Sequence, residues 1–389
     1  MEKRLAIIIT HPIQYYAPWF RMLSDRKQCR LKVFYTWSQS ETSVTDRTFG
    51  KEIKWDIPLL EGYDYEFVEN VSKNPGSHHF FGIDCPALIS KIEAYQPDAI
   101  LFFGWKFKSY LSAIRHFKGK VPIWFRGDST LLDEKGGYRS LLRRMVLKKV
   151  YGYVDRAFYV GQANKAYFLK HGLKPSQLVY APHAIDNDRF MGECMSCEQS
   201  ASEWRHKLGY SNEDTVVLFA GKFETKKQPD ILVAAIIAAN DIRKKPLKLL
   251  LVGNGPLEAQ LHKMADGNPH IQFLPFQNQT QMPLVYRLGD LLCLPSKGPG
   301  ETWGLAVNEA MACERPVIVS SKVGCAEDLV IGTDNGYVFP HDNVEALIKI
   351  LADLNYENLK VSGKQAKVYI QKYNFGAIAN AIENQLSKL

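Results

Sequence analysis

Leu291-Leu292-Cys293-Leu294-Pro295-Ser296-Lys297-Gly298-Pro299-Gly300-Glu301-Thr302-Trp303-Gly304-Leu305-Ala306-Val307-Asn308-Glu309-Ala310-Met311-Ala312 reads as a strand, a glycine-rich loop and a helix in direct succession. The apolar run Leu291–Pro295 has the length of a strand buried on both faces, and the helix is expected over Trp303–Cys313. A loop of this kind turns backbone N–H groups and the positive end of the helix dipole toward an anion. Glu301 stands at the mouth of the loop, and Glu309 lies one turn beyond Leu305 on a helix otherwise apolar and small. A carboxylate among Ala306, Val307, Ala310 and Met311 is costly unless it is paired or binds something. The plainer alternative is a solvated Glu309 and a Glu301 that only caps the helix. Two glutamates eight residues apart arise by chance in most proteins, so the signal is the order strand, loop, acid, helix, acid.

Outward from this unit the same alternation runs along the chain. Candidate strands lie at Leu5–Thr10, Leu31–Tyr35, Ala99–Phe103, Val121–Phe125 and Ala157–Val160, then at Thr215–Ala220, Lys248–Val252, Ile271–Leu274 and Pro316–Ser320. Helices are expected over Ala87–Tyr95, Tyr138–Val150, Pro229–Asn240 and Leu257–Met264. Strands separated by helices mean an α/β fold with parallel, doubly wound sheets. Such sheets take ligands at the carboxyl ends of their strands, where the strand order reverses. Asp186–Tyr210 separates the two series; it is rich in Glu, Ser and Asn and reads as an interdomain connection with a short helix around Ser202–Leu208. Two Rossmann-like domains facing each other across a cleft are expected, with small-molecule sites in that cleft.

Composition narrows the function. At 389 residues the chain is long for one domain, and 46% hydrophobic with 23% charged residues excludes a disordered protein. A net charge of +8 suits a phosphorylated small molecule, an anionic membrane or a nucleic acid. Dispersed basic residues without a recognition motif argue against nucleic acid. Seven scattered cysteines, of which Cys194 and Cys197 are spaced CxxC with no second pair behind them, fit free thiols in a reducing cytosol better than disulfides or zinc. The apolar start ends at Thr10-His11-Pro12, too short for a signal peptide, and no stretch approaches the ~18 apolar residues of a membrane span. A cytoplasmic protein is expected.

Two further turns sit at predicted strand ends. Ala220-Gly221-Lys222-Phe223-Glu224-Thr225-Lys226-Lys227-Gln228-Pro229 places Lys222 at the end of one strand and Lys227 just before a helix. Lysines fixed at this edge could neutralise a diphosphate leaving group; a solvated basic turn is the equal alternative. Gly253-Asn254-Gly255-Pro256 opens like a dinucleotide fingerprint, but Glu258 replaces the third glycine, which argues against NAD. A tight turn letting a base or ribose approach the strands is the modest reading.

Together these segments resemble the retaining glycosyltransferases of family 4, which have the GT-B fold. The run from Glu301 to Val317 looks like that family's E-x7-E segment, and Val323-Gly324-Cys325 and Asp334-Asn335-Gly336-Tyr337-Val338 resemble the turns that follow it. Pro182-His183-Ala184-Ile185-Asp186 at the domain junction fits as well. The likeness is specific over about 160–339 and loose over the first 150 residues. It implies that Glu309 holds the donor's ribose and Glu301 the hydroxyls of the transferred sugar. Lys222, where arginine is usual, and Lys227 would meet the diphosphate, with the backbone of Thr302, Trp303, Gly304 and Leu305 completing the cradle. Gly253 and the segment from Leu274 would lie by the base. The final helix, about Asn374–Ser387, would return to the first domain, giving domains 1–185 with 374–389, a connection over 186–210, and 211–373.

In the first domain, His11 after the opening strand is a candidate acceptor-binding residue, or else a helix cap. Many relatives have a histidine after the strand corresponding to Val121–Phe125; here Arg126-Gly127-Asp128 stands instead. Arg126 and Asp128 become candidates to orient the acceptor or carry its proton. Asp186-Asn187-Asp188 is a D-x-D triplet, but its place at the junction argues against a metal, and lysines with a helix terminus make none necessary. The helix Tyr138–Val150 is basic and amphipathic, suited to an anionic lipid surface at the inner face of a membrane or, slightly better, to ordinary core packing. The expected reaction moves a hexose or N-acetylhexosamine from a nucleotide-sugar donor to a glycan or lipid-linked acceptor hydroxyl, without cofactor or metal. Alternatives are a nucleotide-sugar epimerase, a sugar phosphorylase, or a non-catalytic nucleotide-sugar-binding protein.

Overall fold

The computed structural model describes every residue except 1, 42, 43, 47–50, 54 and 193. It divides into two units: Met1–Asp46, Lys51–His183 and Phe375–Leu389 form the first, and Ala184–Asn374 the second. The first holds strands β1 (Lys3–Ile9), β2 (Cys29–Tyr35), β3 (Val44–Asp46), β4 (Lys51–Ile53), β5 (Asp64–Phe67), β6 (Ala99–Phe103), β7 (Ile123–Arg126), β8 (Arg156–Tyr159) and β9 (Leu178–Tyr180). β3 and β4 pair as an antiparallel hairpin; the other seven form a sheet in the order β5-β2-β1-β6-β7-β8-β9 with every pairing parallel. The second unit holds β10 (Val216–Ala220), β11 (Lys248–Val252), β12 (Ile271–Leu274), β13 (Leu291–Leu294), β14 (Val317–Ser320) and β15 (Gly336–Phe339). These form a parallel sheet in the order β12-β11-β10-β13-β14-β15.

Each sheet is built around a strand whose central residues are apolar without a break. Leu5–Ile9 of β1 and all of β10 are buried, because helices cover both faces of a parallel sheet. In the first unit Ala6, Ile8, Phe34, Ile100 and Phe102 pack against Leu88, Ile92, Tyr110, Ile114 and Phe117 from the helices Leu88–Tyr95 and Lys108–Phe117. The helix Ala17–Asp25 meets the helix Phe375–Leu386. Arg26 pairs there with Glu383 at 3.0 Å, partly exposed and contributing about 0.2–1 kcal/mol. The buried Phe375, Ile378, Ile382 and Leu386, at about 1.5–3 kcal/mol each, stabilise the docked helix far more than that ion pair does. In the second unit Leu232, Val233, Ile236 and Ala239 of the helix Pro229–Ile242 pack on Val217, Phe219, Leu249 and Leu251.

The sheet order fixes where ligands can go. In the first sheet the order reverses between β1 and β6, and in the second between β10 and β13. The loops after those strands therefore diverge to opposite faces and leave a crevice at the carboxyl edge.

The segment read as an interdomain connection belongs instead to the second unit. Asn187–Met191 and Cys194–Lys207 are helices, the second longer than the short helix expected around Ser202–Leu208. Its polar residues are anchors: Arg205 reaches the Leu288 and Asp214 carbonyls and Asp290, while Glu198 pairs with Arg287 and Arg315. Asp186 of the D-x-D triplet caps the first of these helices, accepting from Arg189 N at 3.2 Å, and Asn187 donates to the Tyr373 carbonyl at 3.0 Å.

Candidate functional site

The loops at the reversal of the second sheet carry the charged residues singled out above. β10 ends at Ala220, and Gly221 N donates to the Val252 carbonyl, tying this turn to the end of β11. The chain then makes a tight turn, with Lys227 N donating to the Glu224 carbonyl, before Gln228 in the left-handed region and Pro229 open the next helix. A Cβ on Gly253 would stand 2.0 Å from the Gly221 carbonyl oxygen, so only glycine lets the two turns meet. Asn254 fastens the third strand end, its Oδ1 accepting from Phe276 N at 2.8 Å, while the Leu274 carbonyl accepts from Gly253 N. Lys222, half-buried, projects from this set of turns.

The loop after β13 closes onto the same edge. Lys297 N donates to the Lys226 carbonyl, joining it to the lysine turn. Glu301, 9% exposed, accepts from Lys227 Nζ at 2.8 Å and from Ser296 Oγ at 2.9 Å on the same oxygen, Oε2. Ser296 is held in turn through its carbonyl by the Ser320 hydroxyl. Burial raises the Glu301 pKa, but Lys227 and the two hydrogen bonds overcome that and hold the carboxyl below its usual range. The backbone of Glu301, Thr302 and Trp303 rests on the turn after β14: Gly324 N donates to the Glu301 carbonyl and Cys325 N to that of Trp303.

The helix begins at Leu305, two residues later than expected, because Gly304 is left-handed at φ 96°. Trp303 is consequently outside the helix, buried, with its indole N–H donating to Asn308 Oδ1 at 2.8 Å. Glu309 is 3% exposed, and the Tyr286 hydroxyl donates to its Oε2 at 2.5 Å. The solvated alternative for Glu309 is thereby removed. Among the described residues no three His, Cys, Asp or Glu side chains converge as a metal site.

The first unit has a cavity of about 320 Å³ at its own reversal point. Thr10, Ile13 and Tyr16 after β1, Gly104 to Phe107 after β6, and Arg126 to Ser129 after β7 line it, with His183. Arg126 is buried and donates from its two terminal nitrogens to the Ala181 and Pro182 carbonyls at 2.8 and 3.0 Å. Its guanidinium is thus a strut between strand ends, and Nε alone is left unpartnered toward the interior. Burial lowers its pKa to about 10. Asp128 is the more accessible charge, 3.7 Å from the buried His183, whose pKa burial lowers. His11 is not in the lining: it pairs with Thr10 Oγ1 at 2.9 Å and lies edge-on to Trp37. Burial lowers its pKa to about 4.

Ser296, Ser320, Tyr286 and His183 were not among the sequence candidates. Ser296 adjoins the glycine loop and could have been suspected; the other three meet the site only through folding. A second cavity of about 440 Å³ lies elsewhere in the second unit, walled by Glu198, Arg205, Arg287 and Arg315. Those guanidinium groups are spent on carboxylates and main-chain carbonyls, which makes it a packing seam.

The glycosyl transferases group 1 family model matches residues 200–372. This stretch belongs to that family. It contains the site residues of the second unit from Lys222 to Glu309 and none of the first-unit cavity. Among sequence relatives in the family, the D-inositol 3-phosphate glycosyltransferase of Mycobacterium sp. (strain JLS) is 31% identical over 181 residues, 44% of this chain and 38% of that protein. An uncharacterized glycosyltransferase of Methanocaldococcus jannaschii is 26% identical over 46% of this chain and 47% of its own length. The chain thus spans less than half the length of these curated relatives. Solved structures extend the likeness to the whole fold: Anabaena HepE in complex with UDP and glucose gives a TM-score of 0.71 at 18% identity, covering 100% of both chains. Sucrose-phosphate synthase of Thermosynechococcus elongatus gives 0.71 at 20%, covering 100% of this chain and 98% of its own. The two parallel-sheet units are those of the GT-B glycosyltransferase structures.

Proposed function

We propose that this chain transfers a hexose or N-acetylhexosamine, with retention of configuration and without a metal, from a nucleoside diphosphate sugar to the hydroxyl of a glycan or lipid-linked acceptor. The observation that carries the reading is the ion pair of Lys227 with the buried Glu301 at the carboxyl edge of the second sheet, beside the helix bearing the buried Glu309. A diphosphate arriving there would compete for Lys227 and draw on Lys222 and the helix amino end. Glu301, relieved of part of its partner, would accept from hydroxyls of the sugar, and Glu309 from those of the ribose. The complex of HepE with UDP and glucose supports a UDP sugar as the first donor to try. In the first unit, Asp128 is the carboxylate of the lining that could orient an acceptor hydroxyl, with Arg126 bracing the wall. We place the protein in the cytoplasm, in peripheral contact with an anionic membrane.

The test is a thermal-shift panel of UDP, GDP and ADP sugars, since a ligand bound only by the folded state raises the melting temperature. One nucleotide should give a clear shift that Lys227→Ala abolishes. A panel in which no nucleotide sugar shifts the protein would overturn the reading. Donor incubated without acceptor should give no epimerised sugar, which separates the transferase from an epimerase.

A further inference from the structure

The helix Tyr138–Tyr151 exposes the apolar residues that core packing would hide. Tyr138, Leu141, Leu142, Met145 and Val146 are between 53% and 70% exposed, while Leu147, Val150 and Tyr151 are buried. At about 100° per residue the exposed five share roughly 140° of arc, directly opposite the buried three. Arg139 flanks this stripe on one side, Arg144 and Lys148 on the other, and Lys149 lies at its end, while Arg143 turns to the inner face and donates to the Tyr167 hydroxyl at 3.1 Å. The helix contains no Asp or Glu. The nearest acids along the chain are Glu134 before it, paired with Lys170 at 2.9 Å, and Asp155 after it, paired with Lys118 at 2.7 Å. The core-packed alternative therefore accounts for only one face.

The two faces serve different surroundings. On the inner face Tyr151 packs against Phe125 and Phe168, ring centroids 5.5 and 5.7 Å away, and all three line the first-unit cavity. The loop from Ser129, also in that lining, leads directly into the helix. An outward apolar stripe bordered by cations on both sides matches the boundary between acyl chains and anionic headgroups: the stripe enters and the long basic side chains reach back to the phosphates.

We infer that Tyr138–Tyr151 is a docking helix for an anionic bilayer surface, and that the acceptor admitted to the adjoining cavity is lipid-linked rather than a free glycan. The docking surface stands on its own; its consequence for the acceptor rests on the transferase reading. Each cation brought to an anionic surface is worth on the order of fivefold in partitioning, so the flanks matter as much as the stripe.

The experiment is flotation of the full chain with phosphatidylglycerol–phosphatidylcholine vesicles and with phosphatidylcholine alone. The native protein should float with the anionic vesicles only, and added salt should reduce binding. L141S/L142S/M145S and R144E/K148E should each lose binding at least tenfold, whereas K244E/K245E on the other unit should not. All variants should keep the native melting temperature and its nucleotide-sugar shift. Absence of flotation by the native protein, or flotation of the stripe variant like the native one, overturns the proposal. So does a stripe variant that turns an oligomer into a monomer while the native protein ignores vesicles, since the face is then a contact between copies. If flotation behaves as expected but no nucleotide sugar binds, docking stands and only the lipid-linked acceptor falls with the transferase reading.

Discussion

Lys227 Nζ lies 2.8 Å from Glu301 Oε2, although 74 residues separate the two in the chain. The buried Glu301 carboxylate is costly at this depth without its partner, whereas Lys227 is partly exposed. The pair holds a cation at the sheet edge.

Lys227→Ala should slow sugar transfer by about a hundredfold or more, equivalent to roughly 3–4 kcal/mol of barrier for one lost electrostatic donor. Initial rates should be compared well below the variant's lowered melting temperature. A turnover close to the native rate would remove Lys227 from the chemistry.

Acid should expose the same pair. The Glu301 carboxyl is held below its ordinary value of 4.5, so its contribution to stability is complete above that pH and fades as pH falls through the folded-state value. Unfolding free energies of the native chain and Glu301→Gln should differ by a constant amount above pH 4.5 and converge below it. A gap that persists unchanged into strong acid would show that the ion pair is not its source.

Tyr286→Phe deletes the donor 2.5 Å from Glu309 and leaves a buried carboxylate short of a hydrogen bond. A loss of about 1.5–3 kcal/mol is expected for a bond to a charged group. Chemical denaturation measures it, and the donor KM should rise if Glu309 holds ribose. Unchanged stability would mean that Glu309 does not depend on this hydroxyl.

Gly324→Ala tests the support of the loop. The added Cβ would meet the Thr302 carbonyl oxygen at 1.8 Å, forcing the backbone beside Glu301 outward. About 1–3 kcal/mol of strain and loss of the nucleotide-sugar melting shift are expected. A variant that still binds donor normally would show the loop position to be immaterial.

Activity should be complete in EDTA and unstimulated by magnesium or manganese, because lysines and a helix terminus are proposed to carry the neutralisation. Loss of activity in chelator, restored by either ion, would replace that account with a metal-assisted one.

How much could be read beforehand follows from where each residue lies in its sheet. Strands such as β1, β10 and β13 are buried on both faces and announce themselves as unbroken apolar runs. β5, β9 and β15 are edge strands of three or four residues: polar residues interrupt β5, while β9 and β15 are apolar runs too short to stand out. Glu301 and Glu309 were legible because loop and helix are contiguous, as was the lysine turn. Tyr286 and Ser320 were not, since they reach the site from other elements, and nothing local marked Arg126 as bonded to the carbonyls of Ala181 and Pro182. Periodicity showed that Tyr138–Tyr151 is amphipathic but not which of its apolar residues stay outside; only the packing of Leu147, Val150 and Tyr151 decides that.

The return of the helix Phe375–Leu386 to the first unit has a consequence for biosynthesis. Residues 184–374 are made as one continuous stretch, whereas the body begun by residues 1–183 is completed only by residues synthesised after all of them. Until Ile378, Ile382 and Leu386 emerge, the groove they fill beside the helix Ala17–Asp25 stays bare, a natural handle for chaperones on the nascent polypeptide.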